Sequence, residues 1–239
     1  MSVSPPSLSI VLLMYNEEGN IAAVLDETLA FGRAALGDFE ILVVDDGGTD
    51  GGADIVSGYA AKEPRVRLVS HDRNRGMGAG MRTGIRNASK TWLVFNAADG
   101  QVAAAEIGKL LPLLMNADIV LSTYENRRET WTRELVSRAF RLYLRAVAGI
   151  RFELQGLYLY PTAVARELEP LIAADTFFFS FELIERGIER GLTTATTEMT
   201  CRPRTKGASK IFNPRRIVRV GREAARYGLA KKMGSRPAT

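Results

Sequence analysis

Residues 94–101 read VFNAADGQ, an apolar run that ends in a single carboxylate, Asp99, followed by glycine and glutamine. Mg2+ and Mn2+ are hard cations that prefer anionic oxygen, and sites that hold them against phosphate usually offer more than one acid. Two residues before Asp99 stands Ala97, which ligates nothing. Other polar groups recur where apolar runs end: Asn16, Glu17 and Glu18, then Asp45 and Asp46, then residues 71–76, then residues 96–101. Each alone has a plain structural explanation. Asn16 suits a helix cap, and Asp45-Asp46-Gly-Gly suits a turn. Their recurrence at the same end of successive runs points to one polar edge where a nucleotide would lie.

The elements that must place these groups alternate along the first half. LSIVLLMY (8–15) reads as a buried strand, and the following helix puts Ile21, Val24, Leu25, Thr28 and Leu29 on one face. FEILVVDD (39–46), RVRLVS (65–70), TWLVFN (91–96) and ADIVLS (118–123) are further strands. Between them come a helix near 51–61, a helix with Met77, Met81 and Ile85 at i, i+4 spacing, and a helix broken at Pro112. This predicts an α/β fold with a doubly wound, mostly parallel sheet, whose ligands bind beyond the carboxyl ends of the strands. In the second half, 131–149 reads as a long amphipathic helix and FELQGLYLYP (152–161) as a strand closed by proline. Residues 177–191 read as a helix with Phe181, Ile184 and Ile188 inward, and LTTATTEMT (192–200) as an edge strand. No repeat or long linker divides the chain. One domain is expected over 8–212, with 213–239 a basic amphipathic tail.

The 239 residues are 46% hydrophobic and 25% charged, as in an ordinary globular domain with a sizeable core. The lone cysteine, Cys201, excludes an internal disulfide and fits a reducing compartment. The first residues lack a basic n-region, and no stretch approaches about 20 apolar residues. The expectation is a cytoplasmic protein, peripheral on the cytoplasmic membrane face. From Arg202 onward twelve lysines and arginines stand against one acid, Glu223, so a tail of +11 follows a body of −6. Such a tail suggests an anionic partner. Nucleic acid is not expected, since the tail has only Phe212 and Tyr227 as aromatics and no recognisable module. A membrane surface fits better, with Ile217, Val220, Ala224 and Gly228 lining one face amid arginines; a solvated helix is the alternative. GMGAG (76–80) misses a dinucleotide fingerprint, which needs glycine where Met81 stands.

YNEEGNI (15–21) resembles the first strand ending of family 2 glycosyltransferases, and VVDDGGTDGG (43–52) resembles their VDDGSTDGT segment. Residues 74–101 resemble their N-x-G-x-G-x-A-x-x-x-G stretch leading to D-A-D-G-Q, with Gly80 where that pattern has alanine. Arg133 and Ser137 match an R-x-x-x-S helix of the polyprenyl-phosphate sugar transferases, and RTKGASK (204–210) matches their R-x-x-G-x-S-K loop. The resemblance implies a GT-A fold, a nucleoside-diphosphate sugar donor and a polyprenyl phosphate acceptor. It implies that Asn16 and Glu17 border the nucleoside and that Asp45, with Asp46 beside it, binds the base. Asp99 and Gln101 would hold Mg2+ or Mn2+ on the diphosphate, with Asn96 offering a neutral oxygen. Arg133, Ser137, Arg204 and Lys210 would bind phosphate oxygens. Two positions depart from the pattern: Ala97 replaces the first metal aspartate, and Phe152, with Glu153 next to it, stands where the lipid-phosphate enzymes have aspartate. A weakened metal site is expected.

An ionised lipid phosphate needs no strong general base, whereas a hydroxyl acceptor needs a carboxylate or histidine within reach of its proton. The chain offers His71, which reads as a loop residue, and Glu182, which reads equally as a first-turn helix carboxylate. In-line attack would invert the anomeric carbon. A hydroxyl acceptor and a non-catalytic nucleotide-sugar binder with a decayed metal site stay open as alternatives, and the oligomeric state is not legible.

Overall fold

The computed structural model describes residues 6–125, 131–202 and 214–234, with the backbone alone for 131–136 and 214–216. Alternation of strands and helices produces β1 (Leu8–Met14), α1 (Glu18–Ala35), β2 (Phe39–Asp45), α2 (Gly52–Ala60), β3 (Val66–Ser70), α3 (Met77–Asn87) and β4 (Trp92–Ala97). A short helix, α4 (Ile107–Leu110), lies between two 3-10 turns, the second starting at Leu111-Pro112. Then follow β5 (Ile119–Tyr124), α5 (Trp131–Ala148), β6 (Tyr158–Pro161), α6 (Thr162–Leu168), α7 (Phe178–Glu189), β7 (Thr194–Met199) and α8 (Pro214–Lys232).

One seven-stranded sheet has the order β3-β2-β1-β4-β6-β5-β7, and only β6 runs against its neighbours. β1 and β2 are apolar on both faces because helices cover both. On one face Ile10, Leu12, Ile41 and Val43 meet Ile21, Leu25 and Leu29 of α1, Val56 of α2 and Ile107 of α4. On the other, Val11, Val44, Phe95 and Leu121 meet Met81 and Ile85 of α3, Phe178 and Ile184 of α7, and residues of α5, α6 and α8.

Two expectations change. Of 152–161 only Tyr158–Pro161 is strand. Phe152 stacks on Phe181 at 5.7 Å between centroids, and the N–H groups of Gln155 and Gly156 both donate to Ser122 O, so that stretch cannot form a ladder. The apolar face of α8 is not free for a membrane. Ala224 and Tyr227 join the core beside Phe178, and Gly228 packs against the backbone of Val147 and Ala148. The expected division at 212/213 lies outside the described residues. Among the described residues no helix is long and apolar enough to cross a membrane.

Candidate active site

The chain leaves β1 for β2 and β3 on one side and returns to β4 on the other, so the strand order reverses at β1. Crevices in such sheets open at that reversal, outside the carboxyl ends. The register brings the expected residues there, pairing Met14 with Asp45 and Leu13 with Ala97. The last carbonyls of β1 hold both neighbouring turns, with Asp46 N donating to Met14 O at 2.8 Å and Ala98 N to Leu13 O at 3.0 Å. Asn16 adopts a positive φ of 54°, which asparagine tolerates better than most residues. This turns its Oδ1 to accept the Thr49 N–H at 2.8 Å. Glu18 N donates to Asp50 Oδ2 and Gly51 N to Glu18 Oε2, so the loops after β1 and β2 are stitched together. Glu17 sits at the start of α1 with Oε2 accepting from Asn20 Nδ2 at 2.7 Å.

Asp45 and Asp46 part ways. Asp45 is buried at the end of β2, accepting the Gly48 N–H at 3.1 Å. Burial pushes its carboxyl above the ordinary aspartate range against that hydrogen bond, and the nearby Asp50 and Asp46 push the same way. Asp46 points across to the loop after β3. Its Oδ1 takes the Arg75 N–H and the His71 Nδ1, each at 2.8 Å, and its Oδ2 takes the Gly76 N–H at 2.9 Å. A carboxylate only accepts, so His71 carries a proton on Nδ1, and its Nε2 shares a hydrogen bond with the Thr83 hydroxyl at 2.8 Å. Asp46, expected beside the base-binding Asp45, and His71, read as a loop residue, together form one bridge joining β2, β3 and α3. Sequence spacing carried no signal for the partner Thr83.

Asp99 is half-buried just beyond β4, and its Oδ1 accepts the Gln101 N–H at 3.1 Å. Asn96 is held at the end of β4, with Oδ1 accepting the Ala97 N–H at 2.8 Å and Nδ2 donating to Val102 O at 3.1 Å. Asp99 and Gln101 thus present one anionic and one neutral side chain, a donor set that fits a hard cation completed by diphosphate oxygens and water. Among the described residues no three or more His, Cys, Asp or Glu side chains gather as a metal cluster. Sequence reasoning missed what holds this turn. Arg202 N donates to Gln101 O at 2.7 Å, and its guanidinium grips Glu27 of α1 at 2.8 and 3.1 Å. Glu27 also accepts the Ala104 N–H at 3.2 Å.

Glu182 is not in the first turn of α7 and is not an available acid. It is buried, paired with Arg186 at 2.7 Å, and accepts the N–H groups of Ala173 and Ala174. Glu153 faces Arg141 of α5 at 3.4 Å. Ser137 is half-buried on α5, and Arg133 lies in its first turn. Arg204 and Lys210 lie outside the described residues.

The model of glycosyl transferase family 2 matches residues 9–187. The chain belongs to this family. Its fold is of the GT-A type. The chain is 30% identical over 145 residues to an undecaprenyl-phosphate 4-deoxy-4-formamido-L-arabinose transferase of Serratia proteamaculans, covering 59% of this chain and 44% of that protein. It is 29% identical over 199 residues to a dolichyl-phosphate beta-glucosyltransferase of Drosophila melanogaster, covering 74% and 61%. The chain therefore spans about half the length of the curated relatives it matches. Its fold superposes on glucosyl-3-phosphoglycerate synthase from Mycobacterium tuberculosis, solved with Mn2+, UDP and glucosyl-3-phosphoglycerate. That match has a TM-score of 0.66 at 20% identity over 96% of this chain and 80% of the other. Mannosyl-3-phosphoglycerate synthase from Rubrobacter xylanophilus matches at TM-score 0.66 and 18% identity, over 98% and 76%.

Proposed function

We propose that this glycosyltransferase moves a sugar from a nucleoside diphosphate to a polyprenyl phosphate on an anionic membrane face, inverting the anomeric carbon. One observation carries the choice of acceptor. The two side chains that the sequence offers as general bases, His71 and Glu182, are both tied into internal bridges. A hydroxyl acceptor needs a free carboxylate or histidine at its proton, whereas a phosphate oxygen is already ionised. The relatives named as undecaprenyl- and dolichyl-phosphate transferases support the same reading.

In this reading Asp45 accepts from the base, Asn16 and Glu17 border the nucleoside, and Asp46 acts through the loop it holds. Arg133, Ser137, Arg204 and Lys210 bind phosphate oxygens of donor or acceptor. Asp99 and Gln101 would hold Mg2+ or Mn2+, which when bound supplies positive charge to the leaving diphosphate. The acceptor oxygen forms its bond to the anomeric carbon as the bond to the nucleoside diphosphate breaks, and both electrons leave with that group. Incubation with UDP- and GDP-sugars, polyprenyl phosphate and either cation tests this. A lipid-linked sugar, lost on chelation, is the expected product. Transfer only to water-soluble acceptors would overturn the lipid assignment, and untouched donors would overturn catalysis.

A further inference from the structure

We infer that the outer surface shared by α5 and α8 docks the protein on an anionic lipid bilayer. The inference rests on the lipid-acceptor reading of the site, and it names a surface that the amphipathic pattern of α8 alone misplaces. The two helices are one packed unit: Tyr143 OH donates to Gly221 O at 2.8 Å, and Gly228 lies against Val147 and Ala148. Contacts at 143 with 221 and at 147 with 228 advance together, so the helices run in the same direction. With Ala224 and Tyr227 committed to the core, Ile217 alone of the expected face stays exposed, at 44%, and the other exposed apolar groups lie elsewhere. Leu142 is 67% exposed on α5, and Val218, Leu229 and Met233 are 51%, 60% and 70% exposed on or just after α8. Large apolar side chains exposed together on one packed unit mark an interaction surface rather than scatter.

Charge selects the partner. Arg145, Arg222, Arg226 and Lys232 are exposed on the same two helices and form no ion pair among the described residues. The single acid of α8, Glu223, is turned inward, where it accepts from Asp175 N, Thr176 N and Thr176 Oγ1. A second copy of the chain docked symmetrically would set these cations against themselves. An anionic bilayer neutralises them while its interface takes up the leucines, and arginine stems reach the headgroups from beside an inserted apolar side chain.

Flotation of the full chain with phosphatidylglycerol-containing vesicles and with pure phosphatidylcholine vesicles tests the assignment. Binding is expected to the first and to be far weaker on the second. The double variant Leu142→Asp with Leu229→Asp should lose it. Arg145→Glu with Arg222→Glu should weaken it at least about 25-fold, since each basic residue near such a surface is worth roughly fivefold. Calorimetry with UDP and GDP should be unchanged in both variants, because the nucleotide edge is built from β1, β2 and β4. Vesicle binding that survives both double variants would overturn the surface, as would wild-type protein that ignores anionic vesicles. Concentration-dependent dimers abolished by the leucine variant would assign the surface to a second copy instead. Absence of UDP and GDP binding in wild type, with vesicle binding intact, would count against the proposed function and leave the surface standing.

Discussion

At Asp99 a carboxylate that already accepts the Gln101 N–H keeps lone pairs for a cation. Asp99→Ala should therefore abolish transfer, read as product formation with saturating Mn2+. Ala97 is exposed at the end of β4, so Ala97→Asp adds an acid without disturbing the core. That variant should stay active and bind Mn2+ more tightly by calorimetry; unchanged affinity would place position 97 outside the metal's reach. Asp45→Ala should weaken UDP or GDP binding at least about tenfold, the worth of a hydrogen bond to a base in a desolvated site. Because burial raises the Asp45 carboxyl, it takes up a proton at a higher pH than an exposed aspartate. Nucleotide affinity should then begin to fall, on acidification, at a higher pH than the titration of an ordinary aspartate would give. A decline confined to lower pH would mean another group titrates. His71→Ala removes the donor to Asp46 and frees the loop at Arg75 and Gly76, so nucleotide affinity should drop severalfold. His71→Asn, which can still donate to Asp46, should recover most of it, whereas a purely thermal loss with unchanged affinity would confine the bridge to stability.

Between elements, the buried Glu169 fastens α3 to the segment that leads into α7. Arg82 and Arg86 both reach it at 2.9 Å, and Arg82 also donates to the carbonyls of Ile172 and Ala174. Burial raises the Glu169 carboxyl, but the hydrogen bonds from Arg86 and Arg82 outweigh it and hold the group below the usual glutamate range. The folded state thus loses this proton more readily than the unfolded chain. The stabilisation is complete above the ordinary glutamate pKa and disappears as pH falls through the lower folded value. Glu169→Gln should cost about 3 kcal/mol at neutral pH by urea unfolding, because two arginines lose their buried partner. Its deficit against wild type should shrink in acid; a pH-independent gap would assign the loss to packing. Close approach matters here too. A Cβ on Gly78 would lie 2.6 Å from the backbone of Asp175, which also accepts the Gly78 N–H at 3.0 Å. Glycine is needed there for that reason.

Across the whole molecule, α8 behaves as part of the domain and not as a detachable basic tail. Tyr227 packs tilted against Phe178 with ring centroids 5.9 Å apart, Lys231 pairs with Glu185 and Glu189 of α7, and Glu223 caps the turn at Thr176. Truncation after Asn213 should lower stability by roughly 3 kcal/mol or more, as expected for emptying an aromatic core position. A melting temperature close to that of the full chain would show that α8 is separable. Vesicle binding is accordingly better dissected with surface substitutions on α5 and α8 than by deletion.

Periodicity was enough for the parallel half of the sheet, because strands buried on both faces read as continuous apolar runs and their polar ends line up at one edge. Asn16, Asp45 and Asp99 were legible for that reason, as were α1 and α3. What each carboxylate does at that edge was not legible. Asp45 and Asp46 are neighbours in the chain, yet one accepts from Gly48 in its own turn and the other receives His71, Arg75 and Gly76 from beyond β3. The surroundings of Glu182 and of the face of α8 were misread for the same cause. An unsatisfied polar or apolar group takes whatever partner folding brings to it. Those partners stand far away in sequence, as Glu27 does from Arg202, so only the packed fold reveals them.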